Sequence, residues 1–205
     1  MSDPPADHRH AHKFDPANLA RLDSPGRRER MPAAAFLAAV DPPPGLRLAD
    51  IGVGTGYCTL PVLDAVAGRG TFYAIDIAPV VLEELRRRLA AHPHGVHVHV
   101  ILAEEARIPL PDQCVDHVVM GAVLHELEDR AASLAEACRL LVPDGRLVVA
   151  DWDRRPGQQG EADYGPPYEH RVPREEAEAA LAAAGFRQIR THVGFTDAYL
   201  LSALR

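Results

Sequence analysis

With 205 residues, 47% of them apolar and 25% charged, the chain has the composition of a globular protein and enough length for one sizeable core. A formal net charge of −7 and the lack of any long basic stretch argue against nucleic acid as a partner, and no apolar run reaches bilayer length. The polar N-terminus has no signal-peptide core, and Cys58, Cys114 and Cys138 stand too far apart for a disulfide framework or a metal clip, so a cytoplasmic setting is expected.

In chain order, residues 1–13 read as a disordered tail with histidines at 8, 10 and 12. Asp15-Pro16 is a helix start, with Asp15 as N-cap, Pro16 in the first helical position and Leu19 and Leu22 on one face. Ser24-Pro25 repeats that signal for a second helix, which runs towards Val40 and is stopped by Asp41-Pro42-Pro43-Pro44-Gly45. Residues 14–45 are thus expected to form a helical cap, and residues 46–205 the main domain.

From residue 46 strands and helices alternate. A buried strand over 46–51 leads through a glycine loop to a helix over about 58–66. Gly68-Arg69-Gly70 turns into a strand over 71–75, closed by Asp76. A helix over 79–91 carries Val81, Leu85 and Leu89 at fourfold spacing. Strands follow over 96–102 and 115–120, then a helix over about 129–141 with Leu134, Cys138 and Leu141 inward. Pro143-Asp144-Gly145 turns into a strand over 146–151. A Gly/Pro-rich excursion over 155–172 precedes a helix opened by Pro173 and ended by Gly185 at its C′ position. Two strand-like runs, 186–193 and 197–204, split by Gly194-Phe195-Thr196, form a terminal hairpin.

This alternation predicts an α/β, Rossmann-like, doubly wound sheet. It has seven strands, mostly parallel, with a C-terminal antiparallel hairpin and an N-terminal helical cap. The strand over 96–102 reads as an edge. His97 and His99 on its face, with His92 and His94 before it, are therefore expected to be solvated, and no metal site is expected.

In such sheets ligands bind beyond the carboxyl ends of the strands, where strand order reverses. Those ends carry Gly52–Gly56, Asp76, Glu104-Glu105, residues 121–126 and residues 151–153. The spacing Gly52-x-Gly54-x-Gly56 lets the backbone turn sharply and approach a ligand closely. A dinucleotide fingerprint would need glycine at position 57, where the chain has Tyr57. Asp76, twenty positions after Gly56, can take both hydroxyls of a ribose.

Four segments resemble the class I S-adenosylmethionine-dependent methyltransferases, in the broad group that includes the ubiquinone/menaquinone C-methyltransferases. They are Asp50-Ile51-Gly52-Val53-Gly54-Thr55-Gly56, Tyr73-Ala74-Ile75-Asp76, residues 103–112 and Leu141-Val142-Pro143-Asp144-Gly145-Arg146-Leu147. The last two look like the family's Gly-Asp-Ala-x-x-Leu-Pro-Phe segment and its Leu-x-Pro-Gly-Gly-x-Leu turn. The resemblance implies S-adenosylmethionine as cofactor and methyl transfer to a small molecule. It places Asp50 at the ammonium end of the methionyl group, through water, and Gly52, Gly54 and Gly56 under the nucleoside. Asp76 would grip the ribose, with Ile77 beside it, and Glu104 the adenine amino group, with Glu105 and Ala106 lining that pocket. Gly121 would lie under the methionyl portion. The family usually has Asp where this chain has Glu104, one methylene longer.

Because the sulfonium already activates the methyl group, the protein must chiefly align an acceptor and exclude water. If the acceptor must lose a proton, His125-Glu126 is the candidate pair, against the alternative of a histidine that only shapes the pocket floor. Tyr164, Tyr168, His170 and Arg171, in the 155–172 excursion, are candidates for an acceptor pocket or for a loop that merely braces the cap. A non-catalytic cofactor-binding protein of the same fold is the alternative to an enzyme.

Overall fold

The computed structural model describes residues 16–66, 68–91, 95–155 and 165–205. The histidines at 8, 10, 12, 92 and 94, the Asp15 cap and Tyr164 fall outside them.

Seven strands form one sheet in the order β3-β2-β1-β4-β5-β7-β6. They are β1 (Arg47–Ile51), β2 (Thr71–Asp76), β3 (His97–Leu102), β4 (Val115–Gly121), β5 (Leu141–Trp152), β6 (Arg187–Thr191) and β7 (Ala198–Leu204). β1 to β5 run parallel, and β7 enters antiparallel between β5 and β6. The order reverses between β1 and β4, which leaves a crevice above their carboxyl ends.

Strand periodicity assigns each side chain to a face. Leu48, Phe72 and Val148 point to one side, where α2 (Ala33–Val40), α3 (Thr59–Ala65) and α4 (Pro79–Ala91) pack. Ala49, Ile75 and Val149 point to the other, under α5 (Arg130–Leu140) and α6 (Arg174–Ala183). α4 has the bounds that its apolar spacing predicts. Val81, Leu82 and Leu85 are its buried stripe. α6 ends as expected at Gly185, with φ +90°. Phe186 N–H donates to the Leu181 carbonyl and Gly185 N–H to the Ala182 carbonyl, the paired bonds of a Schellman stop. Between β3 and β4 the chain forms no helix, and residues 103–114 cross as a loop. β3 is an edge, with the His97 and His99 rings exposed and 4.5 Å apart.

The cap differs from expectation in two places. Residues Pro16–Asp23 form a 3-10 helix, in which Leu19 and Leu22 eclipse. The single helix expected over 25–40 is two, α1 (Pro25–Arg30) and α2, because Pro32 offers no N–H and its ring obstructs the preceding turn. Ser24 caps α1 as predicted, its hydroxyl accepting from Arg27 N–H. β5 also begins earlier than expected. Leu141 pairs with Val115 and the ladder resumes at Arg146 opposite His117, so the Pro143-Asp144-Gly145 turn bulges out of the strand.

The cap is tied into the body. Phe36 of α2 is 1% exposed within the cluster under α3. Arg30 pairs with Asp197 at 3.2 Å, and Thr196 N–H donates to the Arg30 carbonyl. Phe36→Ala should therefore cost about 3–5 kcal/mol in urea unfolding. A cap only loosely attached would leave the midpoint unmoved.

Candidate functional site

The exits of β1 and β2 are bonded to each other. Gly52 and Val53 N–H both donate to the Ile75 carbonyl, and Gly54 N–H donates to Asp76 Oδ2 at 3.0 Å. Ala78 N–H donates to the other Asp76 oxygen, also at 3.0 Å. Burial pushes the Asp76 carboxyl above its ordinary range, and these backbone donors resist that push. Gly52, Gly54 and Gly56 all have positive φ. A Cβ on Gly52 would lie 2.6 Å from the Val123 side chain, so glycine lets the β1 and β4 exits close on each other.

Above these exits lies a cleft open to solvent. It is walled by the glycine loop, residues 76–78, residues 103–106, residues 121–123 and Glu126, with Leu22 and Arg27 closing it from the cap. Apolar side chains and bare backbone with a few carboxylates and one guanidinium are the mixed lining of a small-molecule site.

Asp50 lies beneath the glycine loop, outside the lining, almost wholly buried and accepting from the Thr59 hydroxyl. Burial pushes its carboxyl up to about 7, against the Thr59 hydrogen bond. Gly121 lines the cleft, and a Cβ there would meet Cys58 Sγ at 2.8 Å, so the backbone stays bare. Ile77 and Ala106 line it too. The Glu104 side chain is 79% exposed at the mouth, 3.9 Å from Arg107. Glu105 also borders the cleft, but its Oε1 is taken by the N–H groups of Glu128 and Asp129, at 2.8 and 3.0 Å.

Arg27 is the site residue that sequence reasoning missed. It is buried, its guanidinium 4.8 Å above the Tyr57 ring, with Nη1 donating to the Leu22 carbonyl and Nη2 to that of Gly121. Its Nε has no partner among the described residues. The available signal was an arginine one turn inside a capped helix next to a cofactor loop, but its burial depends on how the cap docks.

The candidate pair His125-Glu126 is separated by the cleft wall. Glu126 lines the cleft, whereas His125 lies behind it with a side chain 8% exposed. His125 Nδ1 is 2.7 Å from Asp151 Oδ1, its backbone N–H donates to Asp151 Oδ2, and Nε2 is 3.5 Å from Glu126 Oε1. Burial alone would lower this imidazole. The Asp151 charge and hydrogen bond, joined by Glu126, instead raise it to about 9. At neutral pH it is therefore an imidazolium held between carboxylates, not a free base.

None of the expected acceptor residues within the described chain lines this cleft. The Tyr168 hydroxyl donates to the Arg155 carbonyl, His170 ends a 3-10 turn, and Arg171 is buried with its guanidinium 5.6 Å from the Trp152 ring centre.

A cleft at the switch point of a 3-2-1-4-5-7-6 sheet, with a carboxylate bonded across the glycine loop, defines a class of α/β cofactor-binding proteins. A family model described as a methyltransferase domain matches residues 49–149. A demethylmenaquinone methyltransferase of Symbiobacterium thermophilum is 34% identical over 116 residues, 57% of this chain and 46% of that protein. A ubiquinone/menaquinone biosynthesis C-methyltransferase of Acidiphilium cryptum is 34% identical over 119 residues, 58% of this chain and 47% of that one. The aligned stretch thus spans about half the length of these relatives. A crystal structure of an S-adenosylmethionine-dependent methyltransferase from Aquifex aeolicus superposes with a TM-score of 0.81 at 29% identity, covering 94% of this chain and 99% of that one. Residues 49–149 thus match a methyltransferase domain, and over that stretch and in its fold the chain is similar to S-adenosylmethionine-dependent methyltransferases, whose cofactor is S-adenosylmethionine.

The residues present suit that cofactor. The cleft offers a carboxylate beside bare glycine backbone for a ribose and a buried guanidinium with an open donor for a carboxylate, and beneath the glycine loop lies a buried acid that suits an ammonium group.

Since His125 is raised from 6.5 to about 9, its pairing stabilises the fold fully below pH 6.5, and that contribution is lost as pH rises through 9. In urea unfolding, stability should fall across this window with a slope of up to about 1.4 kcal/mol per pH unit. His125→Gln, which keeps a donor for Asp151, should abolish that slope. An unchanged slope would mean that another group titrates there.

Proposed function

We propose that this protein transfers the methyl group of S-adenosylmethionine to a small-molecule acceptor by in-line displacement. The observation that carries the reading is the carboxylate of Asp76, held by Gly54 and Ala78 N–H with lone pairs left for a sugar diol, at the switch point of the sheet. When bound, the cofactor supplies a methyl group already activated on a sulfonium. The chain's own work is to hold and orient. Asp76 clasps the ribose, and the backbone of Gly52, Gly54 and Gly56 passes under the nucleoside. Glu104, with Ile77, Glu105 and Ala106 around it, addresses the adenine. Asp50 answers the ammonium, through water, and Arg27 takes the carboxylate of the methionyl end. Gly121 leaves room beneath that end, while Leu22 and Val123 exclude water.

The relatives named for quinone methylation support a small, partly apolar acceptor. Glu126 is the ionisable group on the acceptor side of the wall that can take a proton, with His125 fixing it from behind. The three cysteines are free, which suits a cytoplasmic protein.

Titration calorimetry tests the assignment. S-adenosylmethionine should bind and NAD should not. Asp76→Ala should weaken binding by about 1–3 kcal/mol through loss of charge-assisted hydrogen bonds. Undiminished affinity in a folded variant would remove the ribose role.

The ammonium role of Asp50 carries a pH signature. A cation beside a carboxyl raised to about 7 favours its ionised form, so binding releases a proton below that pH. Affinity should hold above pH 7 and fall by up to about tenfold per pH unit below it. Asp50→Asn should bind more weakly, and the break near pH 7 should vanish.

A further inference from the structure

We propose that Glu126 distinguishes the charged cofactor from its spent product, and so favours product departure after each turnover. The inference rests on the reading of the cleft as the cofactor site.

The chemistry sets what must be sensed. S-adenosylmethionine carries a carboxylate, an ammonium and a sulfonium. On transfer the C–S bond breaks, its electron pair returns to sulfur, and the methyl group leaves for the acceptor. S-adenosylhomocysteine keeps the carboxylate and the ammonium and loses only the sulfur charge. Arg27 and Asp50 answer groups that both molecules share, so neither can tell them apart. Discrimination falls to a negative charge in the wall that stays in excess once its protein partners are counted.

The acidic groups around the cleft differ in this respect. Asp76 is held by two backbone N–H groups and Glu105 by two more. Glu136 accepts from Arg139 and from Ile108 N–H. Glu104 is 79% exposed, so solvent screens its charge. Glu126 is 25% exposed, and among the described residues its carboxylate meets only the His125 imidazolium, 3.5 Å away, which Asp151 already pairs at 2.7 Å, so the three groups keep one negative charge in excess. That ring is anchored through Nδ1 to Asp151, itself wholly buried, and the His125 backbone N–H donates to the other Asp151 oxygen. The anchor gives Glu126 a fixed base at the wall. Its charge also adds to the upward push on Asp76, across the space where the nucleoside would lie. The one cation among the described lining residues is Arg27, on the cap side.

In this low-dielectric wall the Glu126 charge attracts a sulfonium and does nothing comparable for a thioether. The wild-type protein should therefore bind S-adenosylmethionine about tenfold or more tighter than S-adenosylhomocysteine, a difference of about 1.4 kcal/mol. Sinefungin, which carries a protonated amine in place of the S-methyl group, should track the cofactor.

Calorimetry with these three ligands decides the matter without an acceptor, on wild type, Glu126→Gln and the exposed control Glu104→Gln. Glu126→Gln should bring the preference for the two cations below about threefold while S-adenosylhomocysteine affinity stays within about twofold, and Glu104→Gln should keep the wild-type ratio. Glu126→Ala serves in the same role if the Gln variant does not fold. Equal affinities in the wild type, an unchanged ratio in both Glu126 variants, or an equal loss in Glu104→Gln would overturn the proposal. Failure of the wild type to bind any of the three would instead overturn the cofactor reading on which it rests.

Discussion

The hydrogen bond from Gly54 N–H to Asp76 Oδ2 joins the exit of β1 to the exit of β2, and the geometry of the site follows from it. A loop of three glycines has many conformations open to it, and the fold must pay their entropy to hold one. The two bonds to the Ile75 carbonyl and this one to Asp76 select that conformation. They leave the glycine backbone bare and the carboxylate half-satisfied, in one register. With this clasp broken, the loop would keep its composition but lose its shape as a cradle.

Around the clasp, each wall comes from a different part of the chain, and each is fixed by its own contact. The β4 exit is fixed by the close packing of Gly52 on Val123 and of Gly121 on Cys58. The 103–106 segment is fixed because Glu105 binds the N–H groups that precede α5. The cap is fixed by Arg27, which reaches the Gly121 carbonyl at the β4 exit, and by Asp23, which pairs with Arg88 of α4 at 2.7 Å. Charge is distributed to match, with the single cation of the described lining on the cap side and the acids opposite it.

Local signals made much of this readable in the sequence. The glycine spacing, Asp76, the bounds of α4 and the Gly185 stop depend on neighbours a few residues away, and they stand where periodicity and backbone freedom put them. What was not readable depends on tertiary docking. Arg27 looks like any surface arginine until the cap folds over the cleft. His125 and Glu126 are adjacent, and which of them faces the ligand depends on the 3-10 turn Leu124–Glu126, where one residue turns a side chain by about 120°. Arg171 suggested an acceptor contact by its chemistry, yet the Trp152 ring claims it. The break at Pro32 is different, because the proline was in plain view and its missing donor should have divided the helix.

The tie between Arg30 and the Thr196-Asp197 turn has a consequence for how the molecule breathes. α1 carries both Arg27, in the cleft, and Arg30, which holds the turn that opens β7. One six-residue helix thus links a cleft-lining group to the antiparallel edge of the sheet, a region without a described cleft residue of its own. Local opening of that hairpin must strain or release the helix, and a ligand that grips Arg27 opposes both. Amide hydrogens in the far hairpin should then exchange with solvent more slowly when the cleft is full, although none of the hairpin's residues lines that cleft.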